Sequence, residues 1–400
     1  MADPASPLHL LVYGELDSGV TDTLRIGAFL EPLGARGIEV RTWSSFGDDI
    51  LRGGPELSAL SWADVVLFRR WRSTHSVCTE CETAFATPAE LTSHVVSTGH
   101  SSLVPDTLIR PIVALLTTHP ELLSGRGVVY DADDDVLDYP AWTGLGFAAA
   151  RERDLILSLL SLADLVTVAT PVLADRLRPH VTAPIRVIRN ALDPAWYRAP
   201  SGVRMPGPAG TDSGEIRVVY HGVPVRLRDY EVARAAVDAV AHSVHGIKRI
   251  WLGAAHEPRV AAAVDEVEPW IKGVVPFAAA LASARPDIGL APLLDEPFNR
   301  AKSELHWLEY SLAGAPTIVS GFNGPGPFDV VRDGVDGLVA RDAADWERQL
   351  RRLAGSSSLR AELADRAGER VAGEYSIESR VGEWASAYRF AAERAGSGRR

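Results

Sequence analysis

The chain has 400 residues, of which 46% are hydrophobic and 23% are charged, enough for two or three domains with full cores. Its net charge of −11 argues against broad nonspecific binding to nucleic acid or to anionic membranes. No apolar run reaches the roughly 18 residues of a membrane span. Residues 1–7 are polar and lack the pattern of a signal peptide, so we expect a cytoplasmic protein.

The chain begins with the pattern of a βαβ unit. Leu8–Tyr13 predicts a buried strand, residues 14–19 a loop, Thr21–Leu33 a helix and residues 39–43 a second strand. Another buried strand is predicted over residues 63–69. The G-x-G-x-x-G fingerprint is absent from the first loop, which is therefore not expected to bind a nicotinamide cofactor.

A metal-ligating pattern follows at residues 75–100. Two residues separate Cys78 from Cys81, twelve separate Cys81 from His94, and five separate His94 from His100. Thiolates and imidazoles at this spacing can close a tetrahedral Zn²⁺ site. The segment resembles a single Cys₂His₂ zinc finger, and we predict a structural zinc ion bound by these four side chains.

The predicted finger is a small ββα insertion with Phe85 and Leu91 at its core positions. Its helix, predicted over residues 88–94, carries Glu90 and neither lysine nor arginine, which disfavours contacts with guanine or phosphate. One finger also binds DNA weakly. We expect a structural unit that covers the acceptor side of the protein or forms an oligomer contact.

The rest of the first half alternates helices and strands. A helix is predicted over residues 106–123, and a strand over residues 127–130 runs into the acidic cluster Asp131–Asp135. Two or three of these carboxylates could bind a divalent cation; helix capping is the alternative. Further elements are predicted over residues 151–162, 165–168, 171–177 and 185–188. Residues 200–214, rich in Pro, Gly and Ser, indicate a domain boundary.

The second half repeats this alternation. Ile216–Tyr220 predicts a strand that ends at Gly222, and Arg226 and Arg228 follow it. A guanidinium group after such a strand can bind a phosphate bidentately. The remaining predicted elements are helices over residues 230–243, 258–267, 344–372 and 377–395, and a strand over residues 249–252.

The most informative stretch is residues 288–320. Residues 288–291 predict a strand, Ala301–Ala313 a helix with Gly314 as its C-cap glycine, and residues 317–319 the next strand. The loop before this helix follows the carboxyl end of a strand, where open α/β sheets bind ligands.

Polar side chains share one face of that predicted helix. Lys302, His306 and Glu309 are spaced by four and then three residues. Lys302 and the helix N-terminus favour an anion, and Glu309, two turns deeper, could accept two sugar hydroxyls. A phosphate with a ribose describes a nucleotide; an ordinary solvated helix face is the alternative.

The stretch resembles the donor site of the large retaining glycosyltransferase family with the GT-B fold, in which two Rossmann-like domains face a cleft. Members often read P-L-x-D-x-x-F-N-x-x-K-S-x-L-K-x-x-E-Y and then G-x-P. The chain matches at Pro292, Leu293, Asp295, Phe298, Asn299, Lys302, Ser303, Leu305, Glu309, Tyr310, Gly314 and Pro316.

The resemblance implies roles for the matched residues. Lys302 would contact the diphosphate of a nucleotide sugar, Arg226 would assist it with Arg228 as the alternative, and Glu309 would hold the ribose. The other implied donor-site residues are Asn299 and Ser303.

Two positions depart from the family pattern. His306 stands where a second lysine is usual. The usual pair of glutamates separated by seven residues is broken, because Ala301 precedes Glu309 at that spacing. Glu296 and Glu304 have the spacing, but Glu304 lies ten residues before the turn glycine instead of five. Glu309 is therefore the expected ribose ligand, and Glu304 is the alternative.

The resemblance also implies that the first half contributes to the cleft. Its first loop, with Gly14, Gly19 and Thr21, would face the donor phosphates and the acceptor. The acidic cluster resembles the V-Y-D-x-D-D segment of some members and would lie beside the sugar and the acceptor. The implied catalytic candidates are Asp131, Asp133 and Asp134.

We therefore predict a GT-B glycosyltransferase that moves a sugar from a nucleotide diphosphate to a hydroxyl acceptor, with retention and without a catalytic metal. The predicted domains are residues 1–199, including the finger, and 215–375, joined by the linker 200–214. A last helix within residues 376–400 would return to the N-terminal domain.

The sequence leaves the sugar, the nucleotide base, the acceptor and the oligomeric state open. It also leaves two other functions open. One is a non-catalytic binding module held in a complex through the finger. The other, disfavoured by the acidic charge balance, is a transferase that acts on modified nucleic-acid bases and docks through the finger.

Removing the predicted zinc ligands tests the finger. A Cys78→Ser, Cys81→Ser double variant should lose one equivalent of zinc and unfold at a lower temperature, because two of four ligands are gone. Metal analysis by mass spectrometry and thermal unfolding provide the two readouts. Unchanged folding and activity in the metal-stripped double variant would count against a structural finger.

Overall fold

The computed structural model describes residues 7–13, 20–42, 57–69, 75–78, 84–85, 103–106, 116–140, 146–197, 214–253 and 258–397. The strands are β1 (Leu8–Tyr13), β2 (Ile38–Thr42), β3 (Val65–Arg69), β4 (His75–Cys78), β5 (Ala84–Phe85), β6 (Leu103–Asp106), β7 (Gly127–Ala132), β8 (Leu165–Val168), β9 (Ile185–Val187), β10 (Ile216–His221), β11 (Ile247–Leu252), β12 (Glu266–Glu268), β13 (Ile288–Ala291), β14 (Thr317–Ser320) and β15 (Leu338–Ala340). The α-helices are α1 (Val20–Arg25), α2 (Leu30–Gly34), α3 (Leu57–Trp62), α4 (Gly146–Leu162), α5 (Pro171–Leu177), α6 (Leu227–Ser243), α7 (Pro258–Ala261), α8 (Val274–Ser283), α9 (Pro297–Arg300), α10 (Leu305–Leu312), α11 (Ala343–Ala354), α12 (Ser357–Glu374) and α13 (Ile377–Gly396).

Two parallel six-stranded sheets organise these elements. The first has the order β2-β1-β3-β7-β8-β9, and the second has the order β12-β11-β10-β13-β14-β15. Counted from its own first strand, the second sheet has the 3-2-1-4-5-6 order of a doubly wound Rossmann fold. The predicted α/β class with two Rossmann-like sheets is therefore confirmed.

The central strands are buried on both faces. Every residue of β7 and of β13 is buried. Parallel strands covered by helices on both sides read as continuous apolar runs, which makes such strands visible in a sequence. Among the described residues, no helix combines the length and the apolar character that crossing a membrane requires.

A separate three-stranded antiparallel sheet has the order β5-β4-β6. Strands β4 and β5 lie within residues 75–100, the segment predicted to form the ββα finger. Cys81, His94 and His100 lie outside the described residues, as does the side chain of Cys78, so the zinc site stays a prediction. The helix predicted from Asp106 onward is wrong at its start, because Asp106 ends strand β6, which pairs with β4.

Several predicted helices have different bounds in the structure. The helix predicted over Thr21–Leu33 is divided into α1, a 3-10 turn at Gly27–Phe29 and α2. The helix predicted over residues 258–267 ends at Ala261, and the chain continues into β12. The helix predicted over residues 344–372 is two helices, because the hydroxyl group of Ser356 caps a new one by accepting from Leu359 N–H. The helix predicted over residues 301–313 begins only at Leu305, after the short helix α9.

The last helix, α13, packs against the first sheet. Ile377, Val381, Trp384 and Tyr388 share a buried cluster with core residues of β1, β3 and β7. The helix backbone also approaches the start of β7 closely. A Cβ placed on Gly127 would lie 2.5 Å from the carbonyl group of Ala391. Only a glycine at the start of β7 permits this approach.

A methyl group at Gly127 should therefore be destabilising. Gly127→Ala forces α13 away from the sheet, and we expect a loss of about 1–3 kcal/mol in the free energy of unfolding. Urea titration followed by circular dichroism measures it. Gly382→Ala is the matched control on the exposed side of α13, where a Cβ meets nothing within 4 Å, and it should stabilise the protein by up to ~1 kcal/mol. Equal stability of the two variants would contradict this packing.

Candidate active site

The candidate site lies where the strand order of the second sheet reverses. Strands β10 and β13 are neighbours there, and the chain leaves them towards opposite edges of the sheet. Open α/β sheets bind ligands in the crevice at such a point. His221 is the last residue of β10, and the segment after β13 leads through α9 into α10.

Three side chains of this crevice form a compact cluster, in which His221 and Glu309 are buried and His306 is partly exposed. His221 Nε2 lies 3.2 Å from Glu309 Oε2, and the His221 and His306 rings are 4.1 Å apart between centroids. Burial raises the pKa of Glu309 to about 8 and lowers the pKa of His221 to about 3. Both groups are therefore predominantly neutral at pH 7.

Polar atoms in this cluster lack partners. His221 Nε2 and Glu309 Oε2 are buried, and neither has a hydrogen bond within the part of the chain that the structure describes, because their mutual contact lacks hydrogen-bond geometry. The hydroxyl group of Tyr197 is also buried and has no hydrogen-bond partner among the described residues. A buried polar atom without a partner costs about 1–3 kcal/mol, so three of them indicate a place for a polar ligand.

Basic side chains surround His306, and two of them, Arg226 and Lys302, are positively charged. Burial lowers the pKa of His306 well below its ordinary value, and three nearby groups lower it further. These groups are His221, Arg226 and Lys302. Three elements therefore direct basic side chains to one point, which suits an anion.

Each of the predicted phosphate-binding cations has a carboxylate partner in this structure. Lys302 Nζ lies 3.1 Å from Asp134 Oδ1, which belongs to the N-terminal half. Arg226 Nη1 lies 3.2 Å from Asp229 Oδ2. Arg228 Nη2 lies 3.4 Å from Oε2 of Glu296, the residue immediately before α9.

Lys302 does not lie in the first turn of a helix, contrary to the sequence expectation. It belongs to the loop Ala301–Glu304, which we call the bridging loop because it contacts the N-terminal half. Thr170 Oγ1 donates to Ala301 O at 2.8 Å, and Asn190 Nδ2 donates to Ser303 Oγ at 3.0 Å. These contacts hold the backbone out of a helical path.

Glu304 completes the bridging loop and lies apart from the His221–Glu309 cluster. Its side chain is fully buried, and its Oε2 atom lies 3.0 Å from Arg189 Nη1. Burial raises the pKa of Glu304, and the charge of Arg189 opposes that shift. The geometry therefore favours Glu309 over Glu304 as the residue that faces a ligand at the switch point.

The aspartates of the acidic cluster have different partners. Asp131 is fully buried and forms an ion pair with Arg25, whose Nε donates to Asp131 Oδ2 at 3.1 Å. Asp133 is buried 3.8 Å from Arg69. The aspartate that forms an ion pair with the second sheet's half is Asp134, through Lys302.

Asn299 supports the loop instead of pointing to the cluster. Its Nδ2 donates to Asp229 Oδ1 at 2.8 Å and to Leu294 O at 3.0 Å. Asp229 Oδ1 also accepts from Leu294 N at 3.1 Å. The same carboxylate thus joins the segment after β13 to Arg226.

Some predicted residues cannot be placed. Gly14 and Gly19 lie outside the described residues, as does the side chain of Thr21.

Two residues of the site, His221 and Tyr197, are absent from the candidates that the sequence analysis selected. His221 had a detectable signal, because it is the polar residue that ends the first strand of the second half, immediately before Gly222.

Solved structures with the same fold are glycosyltransferases. Sucrose-phosphate synthase from Thermosynechococcus elongatus aligns with a TM-score of 0.59 and 14% identity over 98% of this chain and 100% of its own. Anabaena HepE, in complex with UDP and glucose, aligns with a TM-score of 0.56 and 13% identity over 95% and 98%. A Rickettsia africae glycosyltransferase aligns with a TM-score of 0.54 and 10% identity over 97% and 99%.

These similarities show that the chain has the GT-B fold. At identities of 10–14% they show the fold and not the activity. No protein-family model and no curated protein matches the chain.

Because Asp131 and Asp134 form ion pairs of different burial, we expect their replacement by asparagine to change the free energy of unfolding by different amounts. Asp131→Asn leaves the Arg25 guanidinium buried without a carboxylate and should cost about 3–5 kcal/mol of unfolding free energy. Asp134→Asn removes a partly exposed pair and should cost no more than about 1 kcal/mol. Urea titrations of both variants measure the difference. A destabilisation of Asp131→Asn no larger than that of Asp134→Asn would overturn the structural role of Asp131.

Proposed function

We propose that the chain is a glycosyltransferase that moves a sugar from a nucleotide-diphosphate donor to a hydroxyl acceptor. The observation that carries this proposal is the pair of buried atoms, His221 Nε2 and Glu309 Oε2, that lack hydrogen bonds within the described residues. They lie at the switch point of a Rossmann-type sheet, next to the basic groups around His306.

A ribose would satisfy these atoms. The Glu309 carboxyl group can bind two neighbouring hydroxyl groups, and His221 Nε2 can bind one more polar atom. Filling the cluster removes the cost of the unpartnered atoms, and that gain contributes to donor affinity. Glu309 is thus the proposed ribose ligand, in agreement with the motif resemblance.

The diphosphate would lie beside Lys302 and Arg226. When the bond between the sugar and the diphosphate breaks, negative charge grows on the leaving phosphate oxygen, and these two cations stabilise it. Lys302 then exchanges its contact with Asp134 for a contact with phosphate. His306 contributes a neutral imidazole where the family pattern has a lysine.

Of the acidic cluster, Asp134 is the residue that we propose contacts the donor sugar or the acceptor hydroxyl group. Its carboxylate lies beside Lys302, hence beside the proposed position of the sugar and the acceptor hydroxyl, and can hydrogen-bond either one. Asp131 and Asp133, buried against Arg25 and Arg69, would hold the loop that positions Asp134. Retention at the anomeric carbon is proposed from the motif resemblance.

The fold neighbours agree with this proposal. HepE is described in complex with UDP and glucose, and also with UDP-glucose. Sucrose-phosphate synthase is named for the synthesis of sucrose phosphate. We propose a nucleotide-diphosphate sugar as donor on this basis, and the base and the sugar are to be identified by experiment.

A screen of nucleotide sugars tests the donor site. Thermal shift and hydrolysis are measured with UDP-, GDP-, ADP- and dTDP-sugars, and we expect one nucleotide to bind. Glu309→Gln and Lys302→Ala should each raise the donor KM roughly 10- to 100-fold, because the first replaces a carboxyl oxygen that would bind the ribose hydroxyls with an amide NH₂ group, and the second removes the ammonium group that would bind the diphosphate; losses of about 1.5–3 kcal/mol correspond to this range.

Lys248→Ala provides the matched control. Lys248 lies at the start of β11, at the opposite end of the sheet from the site, and pairs with Glu266. Its removal should leave the donor KM unchanged. Wild-type kinetics in Glu309→Gln would contradict the assignment of Glu309 as the ribose ligand. No binding of any nucleotide sugar would favour a non-catalytic binding module.

A further inference from the structure

The His221–His306–Glu309 cluster has the composition of a metal site. One ligand atom from each of these side chains lies within 4.8 Å of the others. The residues come from two elements only, the end of β10 and the first two turns of α10. Two imidazoles and one carboxylate therefore converge on one small volume.

The donor set favours particular ions. Nitrogen-rich sets with one carboxylate suit Zn²⁺, Co²⁺ and Fe²⁺, whereas Mg²⁺ and Ca²⁺ prefer oxygen ligands. Three protein ligands leave a fourth position open to water. Around a tetrahedral ion with bonds of about 2.0–2.2 Å, ligand atoms lie roughly 3.3–3.6 Å apart. The 3.2 Å contact between His221 and Glu309 already approaches this separation.

Burial supports binding at this point. His221 is 5% exposed and Glu309 is 3% exposed, and both direct an atom without a hydrogen-bond partner into the cluster, within the residues that the structure describes. The neighbouring cations do not preclude a further positive charge, because Lys302 and Arg226 are paired with Asp134 and Asp229.

We propose that His221, His306 and Glu309 bind a divalent transition-metal ion of the Zn²⁺ class, and that this ion and the donor nucleotide exclude each other. The mutual exclusion of metal ion and nucleotide rests on the proposed function. A Glu309 carboxyl group that coordinates an ion no longer offers both oxygens to a ribose. The site would thereby make the transferase sensitive to free zinc.

Cobalt binding tests the site without any activity measurement. Co²⁺ is titrated into the full chain carrying Cys78→Ser and Cys81→Ser, so that the predicted finger supplies no thiolates. We expect one equivalent bound, with a visible spectrum that lacks thiolate charge transfer. His221→Gln, His306→Lys and Glu309→Gln should each weaken binding at least 10- to 100-fold, which is the loss that even outer-shell changes cause.

Two controls keep this test interpretable. His242→Ala removes an exposed histidine of α6 and should leave cobalt affinity unchanged. If the cysteine background does not fold, the wild-type chain is titrated instead, and the thiolate band separates the finger from a thiolate-free second equivalent. Absence of that thiolate-free equivalent, or equal affinity in His306→Lys, would overturn the site.

Competition tests the exclusion. Zn²⁺ should raise the apparent Kd of the nucleotide that the chain binds, with UDP, GDP, ADP and dTDP as probes. In His306→Lys, which introduces the residue usual at this position in the family pattern, the apparent Kd of the nucleotide, whatever its value without zinc, should no longer rise when Zn²⁺ is added. Simultaneous binding of zinc and nucleotide would overturn the exclusion. Cobalt binding without any nucleotide binding would instead contradict the proposed function and leave the metal site standing.

Discussion

The bridging loop Ala301–Glu304 is the constraint on which the site depends. Each of its four residues has a side chain or carbonyl group in contact with the first sheet's half. The pair between the buried Glu304 and the partly exposed Arg189 is a poor source of net stability, because removing the Glu304 carboxylate from water offsets its attraction to Arg189. Its effect is geometric: breaking the pair would leave a buried charge, so the loop has one favourable position.

The position of the bridging loop determines where α10 begins, and therefore where the side chains of its first two turns, His306 and Glu309, lie. The helix starts at Leu305 and ends in a Schellman motif, in which Ala315 N donates to Tyr310 O and Gly314 N donates to Ser311 O. The Tyr310 hydroxyl donates to Val219 O of β10 at 2.9 Å. With both ends held, the helix keeps the Glu309 carboxyl group against His221 although neither atom gains a hydrogen bond from the described residues.

Local features of this fold are readable from the sequence, and long-range ones are not. Pro171–Leu177 is a helix with the predicted bounds, because Thr170 caps it and Pro171 suits its first turn. Gly314 also adopts the left-handed conformation expected of a C-cap glycine, with φ of 80°. By contrast, the partner of Asp131 is Arg25, 106 residues away, so no local pattern shows that this carboxylate is buried. The bridging loop escapes prediction for the same reason: its residues favour a helix, and contacts with Thr170 and Asn190 prevent it.

The crevice carries one positive charge fewer than the family pattern predicts, because His306 stands where a lysine is usual. A second lysine would add a permanent charge beside Lys302 and Arg226, whereas burial keeps the imidazole neutral, with its pKa well below the ordinary value. The proposed diphosphate side of the site would then depend on two cations that are already paired, Lys302 with Asp134 and Arg226 with Asp229. Of these two pairs, the one between Lys302 and Asp134 crosses between the two halves of the chain. If the proposed donor site is correct, donor binding would be coupled to the contact between the halves, because phosphate and Asp134 would compete for the same ammonium group.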